Sequence, residues 1–482
     1  MSSLAIDALI DTVSQAYQAG ATERAYALLQ PIMGTGTPSQ AWNLMALIQL
    51  RRNQPMDALA AARRATRDKT NPGHFNTLGL VHEALAQFDA AASAYRRAAT
   101  LLPTEPVFRY NLGNALMQDR KPQAALDAFT ATIKTSPTFA PAWNNAGRAL
   151  KELDRAVEAE QHYRQAIALR PGYHSARYNL GCLLLTQGRW DEGWPLYDSR
   201  WGRSENPDIR GQWGDRLWDG RDIAGQTLTL WTEQGLGDNL QFIRYVPALA
   251  RQGIRVVLCC PPSLADLFSR LDGVAEIRAN TPVPVTDGWH LPVASLPVIF
   301  RWHPEDDVNK NAYLSAPHLV PPLPSSAGRL RVGLMWAGKP LPDPFRTCPL
   351  AELAPLLDLP GISFFSLQTG DAKTELQRIK PARRPIDLDP GDFAHTAGLI
   401  DQLDLVISVD TSLAHLAGGL GVPTWVMLPH RADWRWMTQC QDTPWYPHTR
   451  LFRQKVQGKW SDVVREMATM LPDLEPRLAA AS

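Results

Sequence analysis

Small, large and helix-ending residues recur in register through the first two fifths of the chain. Gly79, Gly113, Gly147 and Gly181 are each separated by 34 residues, and the same step relates Ala91, Ala125 and Ala159, then Tyr95, Phe129 and Tyr163, then Pro103, Pro137 and Pro171. Upstream, Ala46 and Ala58 precede Gly79 and Ala91 by 33, and the segment Leu4–Pro31 reads as a weaker first unit. Each period predicts two antiparallel helices. The Gly and Ala let them approach closely, the aromatic fills the gap against the next pair, and the proline ends the second helix. About five such pairs are expected before residue 190. From residue 227 the pattern changes to short apolar runs followed by Gly-containing loops and helical stretches, the alternation of an α/β region with parallel strands. TLTLWT (227–232), IRVVLCC (254–260), RLRVGLMWAG (329–338), ISFFSLQTG (362–370) and the run 404–409 read as strands, with EQGLGD (233–238) a loop ahead of a helix starting at Asn239. Pro282, Pro284, Pro292, Pro297, Pro304, Pro317, Pro321, Pro322 and Pro324 crowd the middle and predict a hinge between two α/β units.

The order of small residue, aromatic and proline resembles the tetratricopeptide repeat, whose stacked first helices line a concave face that holds a peptide or protein. Asn111, Asn145 and Asn179 lie two residues before successive repeat glycines and so form a ladder along that face. An Asn amide donates and accepts at once, which suits an extended backbone read without regard to side chains. The same positions would serve equally to bridge neighbouring helices. A similar ladder marks the superhelix of eukaryotic O-GlcNAc transferase, so the resemblance implies a protein acceptor.

Composition narrows the classes. With 49 Lys+Arg against 48 Asp+Glu the net charge is +1, which offers no field to a polyanion. Trp190, Trp194, Trp201, Trp213 and Trp218 alternate with Arg200, Arg203, Arg210 and Arg216, but tryptophans at a junction cement domains more often than they stack on nucleic acid, and no nucleic-acid partner is expected. No apolar stretch approaches the ~20 residues of a membrane span, and the N-terminus lacks a basic segment ahead of an apolar run, so a cytoplasmic location is expected. Cys182, Cys259, Cys260, Cys348 and Cys440 are odd in number and without CxxC spacing, which reads as buried free thiols.

Two segments carry the chemistry. Strand 404–409 ends at Asp410, and Thr411, Ser412 and the following amides open a helix whose N-terminus attracts phosphate oxygens; the same residues are also a good helix cap. Gly418, Gly419 and Ala417 would let that helix pack close to the sheet, and His415, one turn on, could donate to a diphosphate or sugar. Arg431, Trp434, Arg435 and Trp436 follow a strand end, placed either to contact a nucleotide or to pack the core. In the other half, Gly235 and Gly237 permit a tight turn that leaves Asp238 at a cleft mouth, as general base or helix cap; Glu233 is the runner-up base. A dinucleotide fingerprint is excluded because its third glycine would fall at Leu240.

EQGLGDNLQFIRYVPAL resembles the first strand-loop-helix of the ADP-heptose lipopolysaccharide heptosyltransferase family, in which a GD pair supplies the catalytic aspartate, and SVDTSLAHLAGGLGVP is similar to that family's donor-binding segment. The resemblance implies a GT-B glycosyltransferase of two Rossmann-like halves facing across a cleft. It also places cations at Lys339 and Arg346 to offset the leaving group's charge. Such sites commonly work without a metal; Asp387 and Asp389 lie away from both motifs, and neither metal nor cofactor is assigned. With the repeats, the chain looks like bacterial tetratricopeptide-repeat glycosyltransferases, including those that modify flagellin. The expectation is a repeat solenoid (1–188), a Trp-rich connector (189–224), an acceptor-side half carrying the base (225–320) and a nucleotide-sugar half with a C-terminal helix (321–482). It would act as an inverting transferase from a nucleotide-sugar to Ser/Thr hydroxyls of a protein, with flagellin the leading acceptor. The alternatives are a repeat scaffold with a degenerate transferase half, or an enzyme with a lipid-linked glycan acceptor.

Overall fold

The computed structural model describes residues 3–203, 216–279, 288–306, 308, 311–317, 320–324, 330–339, 343–380 and 384–477. Trp213, Arg210, Pro282 and Pro284 lie outside them. The chain divides into two compact units, Met1–Leu180 and Gly181–Ser482.

The first unit is a run of antiparallel helix pairs: α1 (Ser3–Gln18) with α2 (Thr22–Leu29), α3 (Ser39–Arg51) with α4 (Pro55–Ala65), α5 (Pro72–Ala84) with α6 (Phe88–Leu101), α7 (Pro106–Gln118) with α8 (Pro122–Thr135), and α9 (Ala140–Glu152) with α10 (Ala156–Leu169). The repeat glycines are where one helix meets the ring of the next. A Cβ on Gly79 or Gly113 would lie 2.4 Å from the Tyr95 or Phe129 ring, and one on Gly147 would lie 2.7 Å from Tyr163. Ala91, Ala125 and Ala159 are fully buried on the facing helix. The residue before each repeat proline leaves the helical region, with φ −135°, −137° and −143° at Leu102, Ser136 and Arg170, as the following ring requires.

The repeat runs further than the boundary at 188. A sixth pair, α11 (His174–Thr186) with α12 (Trp190–Tyr197), continues the register, because Gly193 and Tyr197 stand 34 residues after Ala159 and Tyr163. Its second helix belongs to the second compact unit. Of the expected connector 189–224, the described tryptophans belong to the core: Trp190, Trp194, Trp201 and Trp218 are each at most 5% exposed. Trp194 meets Trp434 edge-on at 5.4 Å, and Trp302 stacks on Trp445 at 3.9 Å. Their faces are not available to bases.

The second unit holds two parallel sheets. In the first, β1 (Thr227–Trp231), β2 (Arg255–Cys260), β3 (Val274–Ala279) and β4 (Trp289–Pro292) lie in the order β3-β2-β1-β4, with α13 (Leu236–Phe242), α14 (Val246–Arg251), α15 (Pro262–Ser269) and α16 (Leu296–Phe300) in the connections. The second comprises β5 (Leu330–Met335), β6 (Ile362–Ser366), β7 (Ile386–Asp387), β8 (Leu405–Val409), β9 (Thr424–Leu428) and β10 (Thr449–Arg453), in the order β10-β9-β8-β5-β6-β7, with α17 (Ala354–Leu357), α18 (Phe393–Asp401), α19 (Ser412–Gly419) and α20 (Ser461–Met470). Strands β8 and β9 are buried along their whole length, as parallel strands covered on both faces must be. The proline-crowded interval is not a bare hinge, because β4 and α16 lie within it and Tyr313 and Leu314 donate their amides to Gly419 O, both at 3.0 Å. Among the described residues, no helix is long and apolar enough to cross a membrane. Cys182, Cys259, Cys260 and Cys348 are buried free thiols and Cys440 is partly exposed.

The sixth pair gives the sharpest packing test. A Cβ on Gly181 would lie 2.6 Å from the backbone nitrogen of Tyr197, which cannot swing aside as a ring edge can. Gly181→Ala is expected to cost about 1–3 kcal/mol despite the better helix propensity of Ala, and more than Gly147→Ala. Urea denaturation curves check this; equal midpoints for both variants would refute the backbone contact.

Candidate functional site

In an open parallel sheet, ligands bind beyond the carboxyl ends of the strands where the strand order reverses. In the first sheet that point lies between β1 and β4, and in the second between β5 and β8. The loop after β1 carries Asp238, and β8 runs directly into Asp410, so both sequence motifs sit at reversal points.

The loop after β1 is closed on itself. Gln234 adopts φ +59°, an uncommon conformation for a side chain of that size. Its amide reaches the Tyr197 hydroxyl at 3.2 Å. Helix α13 begins at Leu236, earlier than the sequence suggests, and Asp238 closes its first turn by accepting the Gly235 N–H at 2.7 Å. Asp238 thus caps α13 from its third position instead of preceding the helix, and the cap uses only Oδ2. The other oxygen, Oδ1, accepts from Arg435, which belongs to the second sheet's half. Glu233 is occupied differently: buried Arg200 grips its carboxylate with Nε and Nη2 and holds Asp198 at 2.6 Å. The Glu233 side chain is also the less accessible of the two carboxylates, 5% exposed against 18% for Asp238.

Gly237 packs directly on the start of α19. A Cβ there would lie 2.8 Å from His415 Cδ2 and 3.4 Å from Ser412 Cα. Thr411 caps α19, accepting from the Leu413 amide at 3.3 Å and lying 3.1 Å from Ser408 Oγ. The bare face of this helix meets side chains rather than the sheet: Gly418 packs on the Tyr446 ring and Gly419 on Leu314 and Tyr313. His415 is 5% exposed, lies 2.8 Å from the Tyr446 hydroxyl through Nδ1 and stacks on Trp436 at 5.2 Å. Burial, then the Arg435 charge, lower its pKa to about 3. It is a neutral packing element and offers no positive charge to a phosphate.

Of the expected cations, Arg346 lies beside the helix start. Its Nε is 3.3 Å from the position of a Cβ on Gly338, whose other neighbour is Thr411 at 3.0 Å, and it donates to Lys339 O at 2.9 Å. The Lys339 side chain is exposed. Trp434 and Trp436 are buried at 3% and 0%, so they pack the core and do not stack on a nucleotide. Asp387 pairs with Lys373 at 3.2 Å. Sequence reasoning missed Tyr197, which the 34-residue register could have found, and Gln241 and Gln368, which no motif marks. Gln368 Oε1 accepts from Trp336 and Ala337 at 3.1 and 2.9 Å and so fixes the chain leaving β5.

In the first unit the Asn ladder forms a bonded lattice. Asn111 donates to Asn76 at 2.9 Å, Asn145 to Asn114 at 2.7 Å, and Asn179 to Asn144 at 2.9 Å. All three bridge successive first helices, the structural alternative of the sequence reading, while Asn111 and Asn179 keep partial exposure.

Residues 43–106, 110–174 and 158–199 match the tetratricopeptide repeat family. The chain is 28% identical over 428 residues to Protein FlbA of Caulobacter vibrioides, covering 81% of this chain and 70% of that protein, so the similarity extends past the repeats. It is 30% identical over 99 residues to the peroxisomal targeting signal receptor of Kluyveromyces lactis, covering 20% of this chain and 18% of the receptor. Among solved structures, PilF of Pseudomonas aeruginosa shares 20% identity, covering 40% of this chain and 88% of that one, with a TM-score of 0.36. The protein thus carries tetratricopeptide repeats followed by a parallel α/β unit.

Two measurements probe these sites. Burial, then the charge of Asp433, raise the Asp410 pKa to about 6, against the opposing effects of Trp436, Arg346 and Arg435. A carboxyl raised on folding loses stability as pH climbs from its unfolded value to its folded one. Asp410→Asn should therefore melt above the wild type at pH 7.5, with the gap closing between pH 6 and 4; a gap independent of pH would contradict the shift. Separately, Asn145→Ala leaves Asn114 Oδ1 without its donor and should cost about 1 kcal/mol in urea unfolding.

Proposed function

We propose that the second unit is a metal-independent, inverting GT-B glycosyltransferase, and that the repeats present a protein acceptor to it, in the cytoplasm. The observation that carries the reading is the contact of Gly237 with Ser412. It brings the carboxylate beyond β1 beside the helix N-terminus beyond β8. A nucleotide-sugar diphosphate fits that N-terminus, where the Ser412 amide, the helix dipole and Arg346 supply positive potential. Asp410, Thr411, Ser412 and Arg346 are the donor contacts of this reading, and Lys339 extends from the same strand end.

The chemistry follows from that placement. Asp238 takes the proton of an acceptor Ser/Thr hydroxyl as its oxygen bonds to the anomeric carbon. The bond from that carbon to the diphosphate breaks on the opposite side, and the nucleoside diphosphate leaves with the electron pair. One displacement inverts the configuration. Repeats of this family suggest protein partners, and the likeness to a targeting signal receptor supports a peptide-like ligand for the first unit. Flagellin as that acceptor rests on family resemblance alone. The rival reading, a repeat scaffold with an inert α/β unit, is favoured by the family match covering only the repeats.

Incubation with a panel of nucleotide-sugars and flagellin, followed by intact mass spectrometry, separates the two. The expected result is a sugar-sized mass gain lost at least 100-fold in Asp238→Asn, general-base removal being worth about 10²–10⁴ in rate, with NMR showing an inverted anomeric centre. Protein binding by the repeats with no transfer and no nucleotide binding would leave the scaffold reading standing.

A further inference from the structure

Arg435 occupies a place that a donor-binding arginine would not. The residue is 7% exposed. Nε donates to Gln241 Oε1 at 2.7 Å and Nη1 to Asp433 Oδ1 at 2.7 Å, while Nη2 holds Asp238 Oδ1. The Trp434 ring lies 4.3 Å from its central carbon and the Phe242 ring 5.7 Å. Every nitrogen thus has a protein acceptor, and aromatic rings lie over the guanidinium. Asp238 and Gln241 stand three residues apart on α13, so they share a helix face, and one planar fork from the opposite half grips both.

We propose that Arg435 is a positioning residue for Asp238 and takes no part in holding the donor. The inference rests on the glycosyltransferase reading above. The carboxylate is fixed at both oxygens, by the Gly235 amide at Oδ2 and by Arg435 at Oδ1. A carboxylate pair offers about four lone-pair sites, so two fixed bonds set its direction and leave capacity for the acceptor's proton. Since the guanidinium cannot be deprotonated, the hold persists across the working pH range. Lysine would keep the charge but lose the fork, and one ammonium cannot reach Gln241, Asp433 and Asp238 in the same geometry. The residue therefore acts on the rate of the chemical step through the direction of Asp238, and the donor's affinity is set elsewhere, around Thr411 and Arg346.

The test is a double-mutant cycle of Arg435→Lys with Asp238→Asn, using the nucleotide-sugar that the wild type turns over, with ADP and UDP binding measured by calorimetry. Arg435→Lys is expected to lower kcat at least tenfold, as misplacing a reacting group by about 1 Å can cost 10²-fold, while nucleotide Kd moves less than about threefold. On the Asp238→Asn background the same change should alter the residual rate less than about threefold, because the group it positions is already disabled. Gln241→Leu, which removes the Nε acceptor without touching Asp238, should show the same split in smaller measure and guards against a misfolded lysine variant. A tenfold or greater loss of nucleotide affinity that persists with Asp238→Asn would make Arg435 a donor ligand and overturn the proposal. Rate losses that simply multiply would also overturn it. A wild type with no turnover on any donor would reject the glycosyltransferase reading itself, and this inference with it.

Discussion

Bringing a carboxylate from one sheet beside a helix N-terminus from another requires backbone to meet backbone, because two ordinary side chains in between would hold the elements apart. Gly237 is where that happens. A methyl group there would press into the His415 ring and against Ser412. His415 must in turn be neutral and flat: stacked on Trp436 and bonded to Tyr446, it gives the loop a firm floor without placing a second positive charge beside Arg435. The position of Asp238, the cap at Thr411 and the reach of Arg435 all presuppose this contact.

Among the described residues, three arginines buried inside this unit would be costly if unpaired, since a buried charge is tolerated only with partners that replace water. Each has them. Arg200 joins Glu233 and Asp198, Arg244 donates to the carbonyls of Gln241 and Trp445 at 2.7 and 2.8 Å, and Arg435 joins Gln241, Asp433 and Asp238. Arg244 and Arg435 both run from one half's elements to the other's, and Trp445 takes part in both, accepting from Arg244 and donating its indole N–H to Arg435 O. Directed bonds of this kind fix the relation of the two sheets more narrowly than the surrounding aromatic packing could.

The sequence was most legible where one constraint repeats. Glycine against an aromatic ring at a fixed step gave the helix pairs, and continuous apolar runs between Gly-containing loops gave the parallel strands β1, β2, β5, β6 and β8. Short strands such as β4 and β7 carried too little pattern to stand out among prolines. At the site, the strand ends at Asp238 and Asp410 were legible because glycines and a capping threonine mark them. The roles of His415, Trp434 and Trp436 were not, since a histidine one turn into a helix and two tryptophans after a strand read alike whether buried or exposed. Burial decides between those roles, and burial here is set by residues distant in sequence: Tyr446 for His415, and Trp194 for Trp434. The bond of Arg435 to Gln241 was illegible for the same reason, because that partner lies on a helix nearly two hundred residues earlier.

Left-handed backbone at non-glycine residues recurs along the chain, at Asn53, Ala86, Arg120 and Asp154 in the repeats as well as at Gln234, whereas opposed charge gathers in one neighbourhood. Gln234 takes a left-handed backbone conformation that a glycine would adopt without cost. Asp410 is held where its ionisation is opposed by burial and by Asp433. Asp238, Asp410 and Asp433 gather around two arginines in place of the neutral packing that stability alone would select. The bonds of Asp238 and Asp433 to Arg435 also serve the fold, whereas the Gln234 conformation and the raised Asp410 pKa cost free energy that the surrounding core offsets. Strain and opposed charge gathered at the reversal point of two parallel sheets are what a binding and reacting site requires. On the proposed glycosyltransferase reading these costs are accepted for the sake of the site, whereas a unit kept only as a rigid support for the repeats would gain stability by losing them.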